Sequence, residues 1–213
     1  MDLILVRHGR PETVRSDGDL RGGADPGLTE EGHRQADLLG RYLARDGAAA
    51  PDVVVTSPMR RARETARALE THLHLPVRVD PRLAEFDIGA PAYVPAESVT
   101  LDREVLWRAL ETGEWGAHTF DPDAFEARVA EAFTEIIAAN AGATVAVVCH
   151  NGVINSFLSV VLGRPRGMFV QPDYTSFSRL VAARSGRRQL RSINETPHLQ
   201  LARSPAEPRA RPA

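Results

Sequence analysis

Short, uninterrupted apolar runs that alternate with segments of helical periodicity constrain the fold of this chain most strongly. Residues 3–6, 53–56 and 144–149 are rich in β-branched and other strand-forming residues and are too short for typical helices. Between them lie segments with apolar residues at helical spacing, such as Phe125 and Val129. The alternation predicts an α/β fold, a three-layer sandwich in which a mostly parallel central sheet carries helices on both faces.

Weaker signals add further elements to this predicted sheet. The segment 76–80 is predicted as another strand, and residues 176–182 and 189–193 as a hairpin at the sheet edge. Ser57 and Pro58 follow the second strand, and we expect them to be the N-cap and the first residue of a helix.

The periodic pattern weakens in the middle of the chain and disappears near its end. From about 86 to 119, prolines and two tryptophans interrupt the pattern, which predicts a lid-like insertion. The last residues are Ala, Arg, Pro, Ser and Glu without periodicity. The chain is therefore predicted to be one domain over 1–201 that contains this insertion, followed by a disordered tail at 202–213.

Composition excludes several classes of partner and cellular setting. With 213 residues, 43% of them apolar, the chain is large enough for one domain with a substantial core. A formal net charge of −2 gives no reason to expect nucleic acid or an acidic membrane as a partner, and no apolar run is long enough for a membrane span. The single cysteine forms no internal disulfide and fits a cytoplasmic location.

The absence of lysine narrows the possible chemistry. All 26 basic residues are arginine, which excludes Schiff-base chemistry and with it most pyridoxal enzymes. The P-loop lysine and the kinase lysine are excluded in the same way. A phosphate site in this chain would have to use arginine, histidine and backbone amides.

Polar residues follow four of the predicted strands at the point where each strand ends. Arg7 and His8 end the first strand, Arg61 opens the helix after the second, Glu85 lies just past the third, and His150 ends the fourth. In sheets of this kind, ligands bind beyond the carboxyl ends of the strands. Guanidinium groups can grip a phosphate and a neutral imidazole can attack phosphorus. The alternative is that these polar residues only face water at the end of each strand. That coincidence would have to occur at four separate strands, so we expect a phosphate site.

Five sequence blocks, in order over roughly residues 3–160, resemble the histidine phosphatase superfamily, the phosphoglycerate-mutase-like proteins, in its phosphatase branch. They are Arg7–Gly9 for R-H-G, Gly22–Gly32 for G-x-x-D-x-x-L-T-x-x-G, Ser57–Ala66 for S-x-x-x-R-A-x-x-T-A, Leu83–Gly89 for L-x-E-x-x-x-G, and His150–Val153 for H-x-G-V/I.

The resemblance implies a two-step phosphoryl transfer through a phosphohistidine, without a metal or a cofactor. His8 would attack phosphorus, and Glu85 would protonate the leaving oxygen and later deprotonate water. Arg7, Arg61 and His150 would stabilise the transferred group. The substrate-binding residues that the resemblance implies are Arg7, Arg61, His150, Asn151 and Gly22.

Two departures from the family pattern concern the entrance of the expected pocket. Where many members have Glu-Thr and then an asparagine after R-H-G, this chain has Arg10, Pro11 and Val14. Where most members have W-E-G after the acid, it has residues 89–92, Gly-Ala-Pro-Ala. The residues that would select a substrate therefore cannot be transferred from the family.

The leading hypothesis is a phosphomonoester hydrolase acting on a small phosphorylated metabolite. Phosphoglycerate mutase is the first alternative, although the R-x-Y-G run that mutases carry after the acid is missing after Glu85. A non-catalytic phosphate-binding protein on the same fold is the second. Cys149 is interpreted as a strand-core residue, because a thiol phosphatase needs arginine six positions later, where Asn155 stands.

Overall fold

A six-stranded sheet lies at the centre of the computed structural model, which describes residues 1–15, 23–45, 50–95 and 103–202. Its strands are β1 (Asp2–Arg7), β2 (Val53–Thr56), β3 (Val77–Val79), β6 (Thr144–Cys149), β7 (Phe177–Ala182) and β8 (Arg188–Glu195). They lie in the order β3-β2-β6-β1-β7-β8, parallel from β3 to β1 and antiparallel at β7 and β8. The mostly parallel sheet and its edge hairpin confirm the prediction.

Helices cover both faces of this sheet. They are α1 (Glu30–Arg45), α2 (Arg60–Leu73), α3 (Arg103–Thr112), α4 (Pro122–Ala139), α5 (Asn151–Leu162) and α6 (Pro197–Ala202). Because side chains of a strand alternate between faces, Leu3 and Leu5 of β1 pack with α4 and α5, while Ile4 and Val6 pack with α1 and α2. The two cores confirm the three-layer arrangement. None of the helices in the described ranges is long and apolar enough to cross a membrane.

The helix after β2 begins later than the sequence predicts. Its first residue is Arg60, with Met59 as N-cap in an extended conformation, so Ser57 and Pro58 are not the cap and first helical residue. Ser57 instead follows β2 directly: its N–H donates to Val148, and its hydroxyl accepts from the N–H of Met59 and lies 2.7 Å from His150 Nε2. The helix begins two residues later than predicted, at Arg60.

The region predicted as an insertion contains α3 and a small hairpin. This hairpin consists of β4 (Glu114–Trp115) and β5 (His118–Thr119) and pairs with no strand of the main sheet. The domain limits and the insertion boundaries stay predictions. Of the predicted tail, Ala202 ends α6 and residues 203–213 lie outside the described part.

Candidate active site

The five residues predicted from the strand ends come together at one edge of the sheet. Each is at most 5% exposed. Arg7, His8, Arg61 and Glu85 line a cavity of about 40 Å³. The ring of His150 lies directly beside it, with its centroid 5.1 Å from that of His8.

His8 is held in one tautomer by the backbone that follows it. Its Nδ1 lies 2.8 Å from the carbonyl oxygen of Gly9, so Nδ1 carries the proton and Nε2 keeps a lone pair. Burial, followed by the charges of Arg61 and Arg7, lowers the pKa of His8 well below its usual value. Gly9 is required here, because a Cβ would lie 2.6 Å from the carbonyl oxygen of Gly32. The imidazole is therefore neutral and oriented as a nucleophile needs to be.

Arg7 is oriented by the loop before β7. Its Nη1 donates to the carbonyl oxygen of Pro172 at 2.5 Å, and its guanidinium carbon lies 4.1 Å from the ring centroid of Tyr174. The backbone N–H of Arg7 also donates to Ser176. These contacts hold a cation at the cavity wall beside His8.

Arg61 is a buried cation with only part of its hydrogen-bonding capacity used. Nη2 donates to both carboxylate oxygens of Asp87, at 2.9 and 3.1 Å, and the guanidinium lies 4.6 Å from the ring centroid of Tyr93. Nε and Nη1 are buried without a hydrogen-bond partner among the described residues. Buried donors of this kind are rare in proteins. They favour an anion as the missing partner.

Glu85 is fixed between two backbone amides. The N–H groups of Phe86 and Gly152 donate to its two oxygens at 3.0 and 2.7 Å. Burial and the neighbouring Asp87 charge raise the pKa of Glu85 to about 7, although both amides oppose the shift. A carboxyl group with this pKa can give and accept a proton near neutral pH, as a general acid and base must. Gly152 is needed here too, because a Cβ would collide with the Glu85 carboxylate.

His150 presents one ring nitrogen to the protein and has no described partner for the other. Nε2 is paired with the Ser57 hydroxyl, while Nδ1 is buried without a hydrogen-bond partner among the described residues. Burial first, and then the positive charges of Arg61 and Arg7, lower the pKa of His150 well below its usual value.

The two other predicted substrate-binding residues have different outcomes. Asn151 lines the cavity, and its side-chain oxygen accepts a 2.7 Å hydrogen bond from Asn155. Asn155 also accepts from the N–H groups of Phe169 and Val170, so it ties the start of α5 to the following loop. Gly22 lies outside the described residues.

Sequence reasoning missed several residues that shape the site. Asp87 lies two positions after Glu85, inside a recognised motif, but no pattern marks it as the partner of Arg61. Ser57 opens another motif and was interpreted only as a helix cap. Tyr93 and Tyr174, which lie against the two arginines, are in loops where neither periodicity nor a motif points to them.

Two alternative chemistries find no support in the geometry. Cys149 is fully buried in β6, and burial raises the pKa of its thiol, which is the opposite of what a nucleophilic thiolate needs. Across the described ranges, no three His, Cys, Asp or Glu residues cluster closely enough to hold a metal ion.

An α/β sheet whose carboxyl edge holds a neutral imidazole, two guanidiniums and an acid with a pKa near 7 is suited to binding a phosphate group. The chain belongs to the histidine phosphatase superfamily (branch 1), whose sequence profile matches residues 3–196.

Individual relatives are named for different activities. A bifunctional protein of Mycobacterium tuberculosis is 35% identical over 203 residues, which cover 92% of this chain and 54% of that protein. The chain thus spans about half the length of that relative. A probable phosphoglycerate mutase of Yersinia enterocolitica is 29% identical over 169 residues, covering 78% of this chain and 76% of the mutase. Among solved structures, a mycobacterial glucosyl-3-phosphoglycerate phosphatase in complex with VO3 is 25% identical, with a TM-score of 0.67 and coverage of 92% and 99%.

Proposed function

We propose that this protein is a phosphomonoester hydrolase that acts on a small phosphorylated metabolite through a phosphohistidine on His8. The observation that carries the proposal is the Nδ1–H bond from His8 to Gly9, which leaves Nε2 as the nucleophilic nitrogen of a neutral ring. Arg61 supports it with buried, unsatisfied donors in the same cavity.

In the first step the Nε2 lone pair of His8 forms a bond to phosphorus while the phosphorus–oxygen ester bond breaks. The departing oxygen takes the proton of the Glu85 carboxyl group and leaves as an alcohol. Arg7 and Arg61 balance the charge on the phosphoryl oxygens, and the transfer depends mainly on such positioning and electrostatic stabilisation.

In the second step water replaces the alcohol. The Glu85 carboxylate removes a proton from water as its oxygen attacks phosphorus, and the phosphorus–nitrogen bond breaks with its electron pair returning to His8. Inorganic phosphate leaves, and Glu85 is again protonated for the next cycle. A pKa of about 7 suits a group that must act as acid and then as base.

In this mechanism the positive charge at the phosphate comes from Arg7 and Arg61, so we propose that no metal takes part. Hydrolysis should then continue unchanged in EDTA. The cytoplasmic location remains a prediction that rests on the single cysteine.

Phosphoglycerate mutase is the second candidate, because relatives from Yersinia are named probable phosphoglycerate mutases. Incubation with 3-phosphoglycerate and a bisphosphoglycerate primer separates the two activities. Release of inorganic phosphate without formation of 2-phosphoglycerate supports the hydrolase, whereas rapid interconversion supports the mutase.

The central test is a comparison of wild-type protein with the His8→Ala variant on 4-nitrophenyl phosphate in EDTA. Removal of the nucleophile should lower kcat by more than about 1000-fold, as in other covalent mechanisms. Acid-labile, base-stable phosphate should be trapped on the wild-type protein and be absent from the variant. His33→Ala, at a histidine whose side chain is 57% exposed, is the matched control and should behave as wild type.

Turnover by His8→Ala at the wild-type rate would refute the phosphohistidine mechanism. A correctly folded wild-type protein that binds phosphate and hydrolyses no monoester would favour the non-catalytic alternative. Circular dichroism of each variant shows whether the fold is intact.

A further inference from the structure

The cavity that holds the proposed catalytic residues is also lined by side chains that take no part in the proposed chemistry. Phe86, Tyr93, Val94, Trp115 and Met168 line the same cavity as Arg7, His8, Arg61 and Glu85. We call these five residues the apolar rim.

Some side chains of the apolar rim pack against other aromatic residues, and others are accessible to solvent. The ring of Phe86, only 5% exposed, meets Trp115 edge-on at 5.4 Å between centroids and stacks on Phe120 at 4.7 Å. Val94 is 37% exposed, and Tyr93 and Trp115 are half-buried. Val94, Tyr93 and Trp115 are therefore the members of the rim that solvent reaches, while Phe86 and Met168 are buried behind them.

The enclosed space that the described residues leave at the phosphate-binding side chains is small. Its volume is about 40 Å³, whereas one water alone needs about 10–15 Å³ on the same measure. That space suits a phosphoryl group between Arg7 and Arg61. The alcohol part of a substrate must then lie against the apolar rim.

The positively charged side chains in the cavity wall are enough to bind one phosphate group. Among the described lining residues the cations are Arg7 and Arg61, and Arg61 is already paired with Asp87. Glu85 and Asp87 are acidic. A second carboxylate or phosphate on the substrate would be desolvated against the apolar rim without a further cation among the described lining residues, which disfavours its binding.

We propose that the enzyme selects phosphate monoesters of uncharged alcohols with an apolar or aromatic body, and discriminates against substrates that carry a second acidic group. This inference rests on the proposed hydrolase activity and adds the substrate class. Aromatic side chains such as Trp115 and Tyr93 offer large contact areas to such a body.

The test compares three alkyl phosphates, so that the breaking ester bond is similar in each: 2-phenylethyl phosphate, ethyl phosphate and 3-phosphoglycerate. We expect kcat/KM for 2-phenylethyl phosphate to exceed that for ethyl phosphate by about 10- to 200-fold, the range for well-packed apolar groups. We expect 3-phosphoglycerate to be poorer than ethyl phosphate, because it adds a carboxylate rather than apolar surface.

Two variants test the apolar rim directly. Trp115→Ala should lower the ratio of kcat/KM for 2-phenylethyl phosphate to that for ethyl phosphate. Val94→Arg, which adds a cation at an exposed position, should raise the ratio for 3-phosphoglycerate to ethyl phosphate. The matched controls are Trp107→Ala and Val160→Arg, at residues that are 55% and 52% exposed and do not line the cavity. Both controls should leave these ratios unchanged.

Failure of this inference differs from failure of the proposed function. If 3-phosphoglycerate is hydrolysed as well as 2-phenylethyl phosphate in a reaction that needs His8, the substrate class is wrong while the hydrolase stands. If no ester is hydrolysed by folded wild-type protein, both proposals fall. Should Trp115→Ala not fold, Val94→Arg still decides, because an unchanged ratio for 3-phosphoglycerate would contradict the inference that the lack of a cation at the rim disfavours a second acidic group.

Discussion

Glu85 and Asp87 are two residues apart and share a cavity, yet their surroundings give them different tasks. Glu85 accepts two backbone N–H groups and has no hydrogen bond from an arginine among the described residues, whereas Asp87 holds the Nη2 group of Arg61 with both oxygens. The negative charge of Asp87 is the second cause, after burial, of the raised pKa of Glu85. Asp87 therefore orients Arg61 and helps to keep a proton on the neighbouring acid.

The Asp87→Asn variant should move the alkaline limb of the pH profile to lower pH. In wild type, kcat/KM for an alkyl phosphate should fall as the pH rises through about 7, because Glu85 then loses the proton that the leaving oxygen needs. Asparagine removes a nearby negative charge, so the pKa of Glu85 falls and the limb follows it. The measurement is kcat/KM for ethyl phosphate from pH 5 to 9.

Asp123→Asn is the control for this shift, because the side chain of Asp123 is 85% exposed on α4. It should reproduce the wild-type profile. An alkaline limb that stays in place in Asp87→Asn would mean that Asp87 acts only through Arg61 and does not tune Glu85.

At the scale of elements, α6 braces the loop that supports the proposed nucleophile. Thr175, before β7, has φ of 58°, a left-handed conformation that a β-branched residue seldom adopts. Its N–H donates to the carbonyl oxygen of His8, and its hydroxyl donates to Tyr174 at 2.7 Å. His198 Nε2 of α6 lies 2.9 Å from that hydroxyl. Because the hydroxyl proton is already used, His198 is the donor in this contact.

The surroundings of His198 hold its ring in place and keep it neutral. The ring packs near Tyr42 and Phe177, with centroids 6.2 and 6.1 Å away, and is 2% exposed as a residue. Burial lowers its pKa to about 4, so the ring is neutral at physiological pH. A neutral His198 with its proton on Nε2 stabilises the strained Thr175 and, through it, the backbone of His8.

His198→Ala should therefore reduce both stability and turnover. Loss of the donor and of the packed ring should lower the free energy of unfolding by about 1–3 kcal/mol. Since the loop also holds Arg7 through Pro172, kcat should fall more than KM rises. Urea unfolding and steady-state kinetics measure the two effects, with His33→Ala as an exposed control.

A purely structural role of His198 predicts a different outcome. Lower stability with kcat unchanged at a temperature where the variant is fully folded would show that the loop does not position His8. His198→Gln provides a further check, because an amide N–H can replace the lost donor and should restore part of kcat.

Sequence patterns predicted the elements better than the contacts between them. Continuous apolar runs identify buried parallel strands, and the residue after such a run lies at the ligand-binding edge of the sheet. This reasoning predicts the positions of Arg7 and His150 from the sequence. The predicted start of α2 was two residues early, because the N–H of Ser57 still pairs with Val148 of β6 and Met59 is still extended. The bracing of Thr175 by His198 joins residues 23 positions apart in segments without periodicity, so no local signal marks it.

At the scale of the whole molecule, the fold buries neutral imidazoles, and this lowers the free energy of unfolding at acidic pH. His8, His150 and His198 all have a pKa below the usual value, with burial as the largest cause in each. The unfolded chain takes up their protons near pH 6.5 and the folded chain only at lower pH. The unfolded state therefore binds more protons as the pH falls, and stability decreases. Glu85 acts in the opposite direction: with its raised pKa the folded chain takes up a proton as the pH falls from 7 to 4.5 before the unfolded chain does, which increases stability over that range.

With three imidazoles against one carboxyl group, the free energy of unfolding should decrease as the pH is lowered from 6.5 to 4.5. Urea unfolding at several pH values measures this slope. The His8→Gln variant has a side chain that takes up no proton in this range, so its stability should fall less steeply than that of wild type. His33→Gln, at an exposed position on α1, should retain the wild-type slope. Parallel slopes for wild type and His8→Gln would show that His8 takes up its proton equally in both states, and that its neutrality is not imposed by the fold.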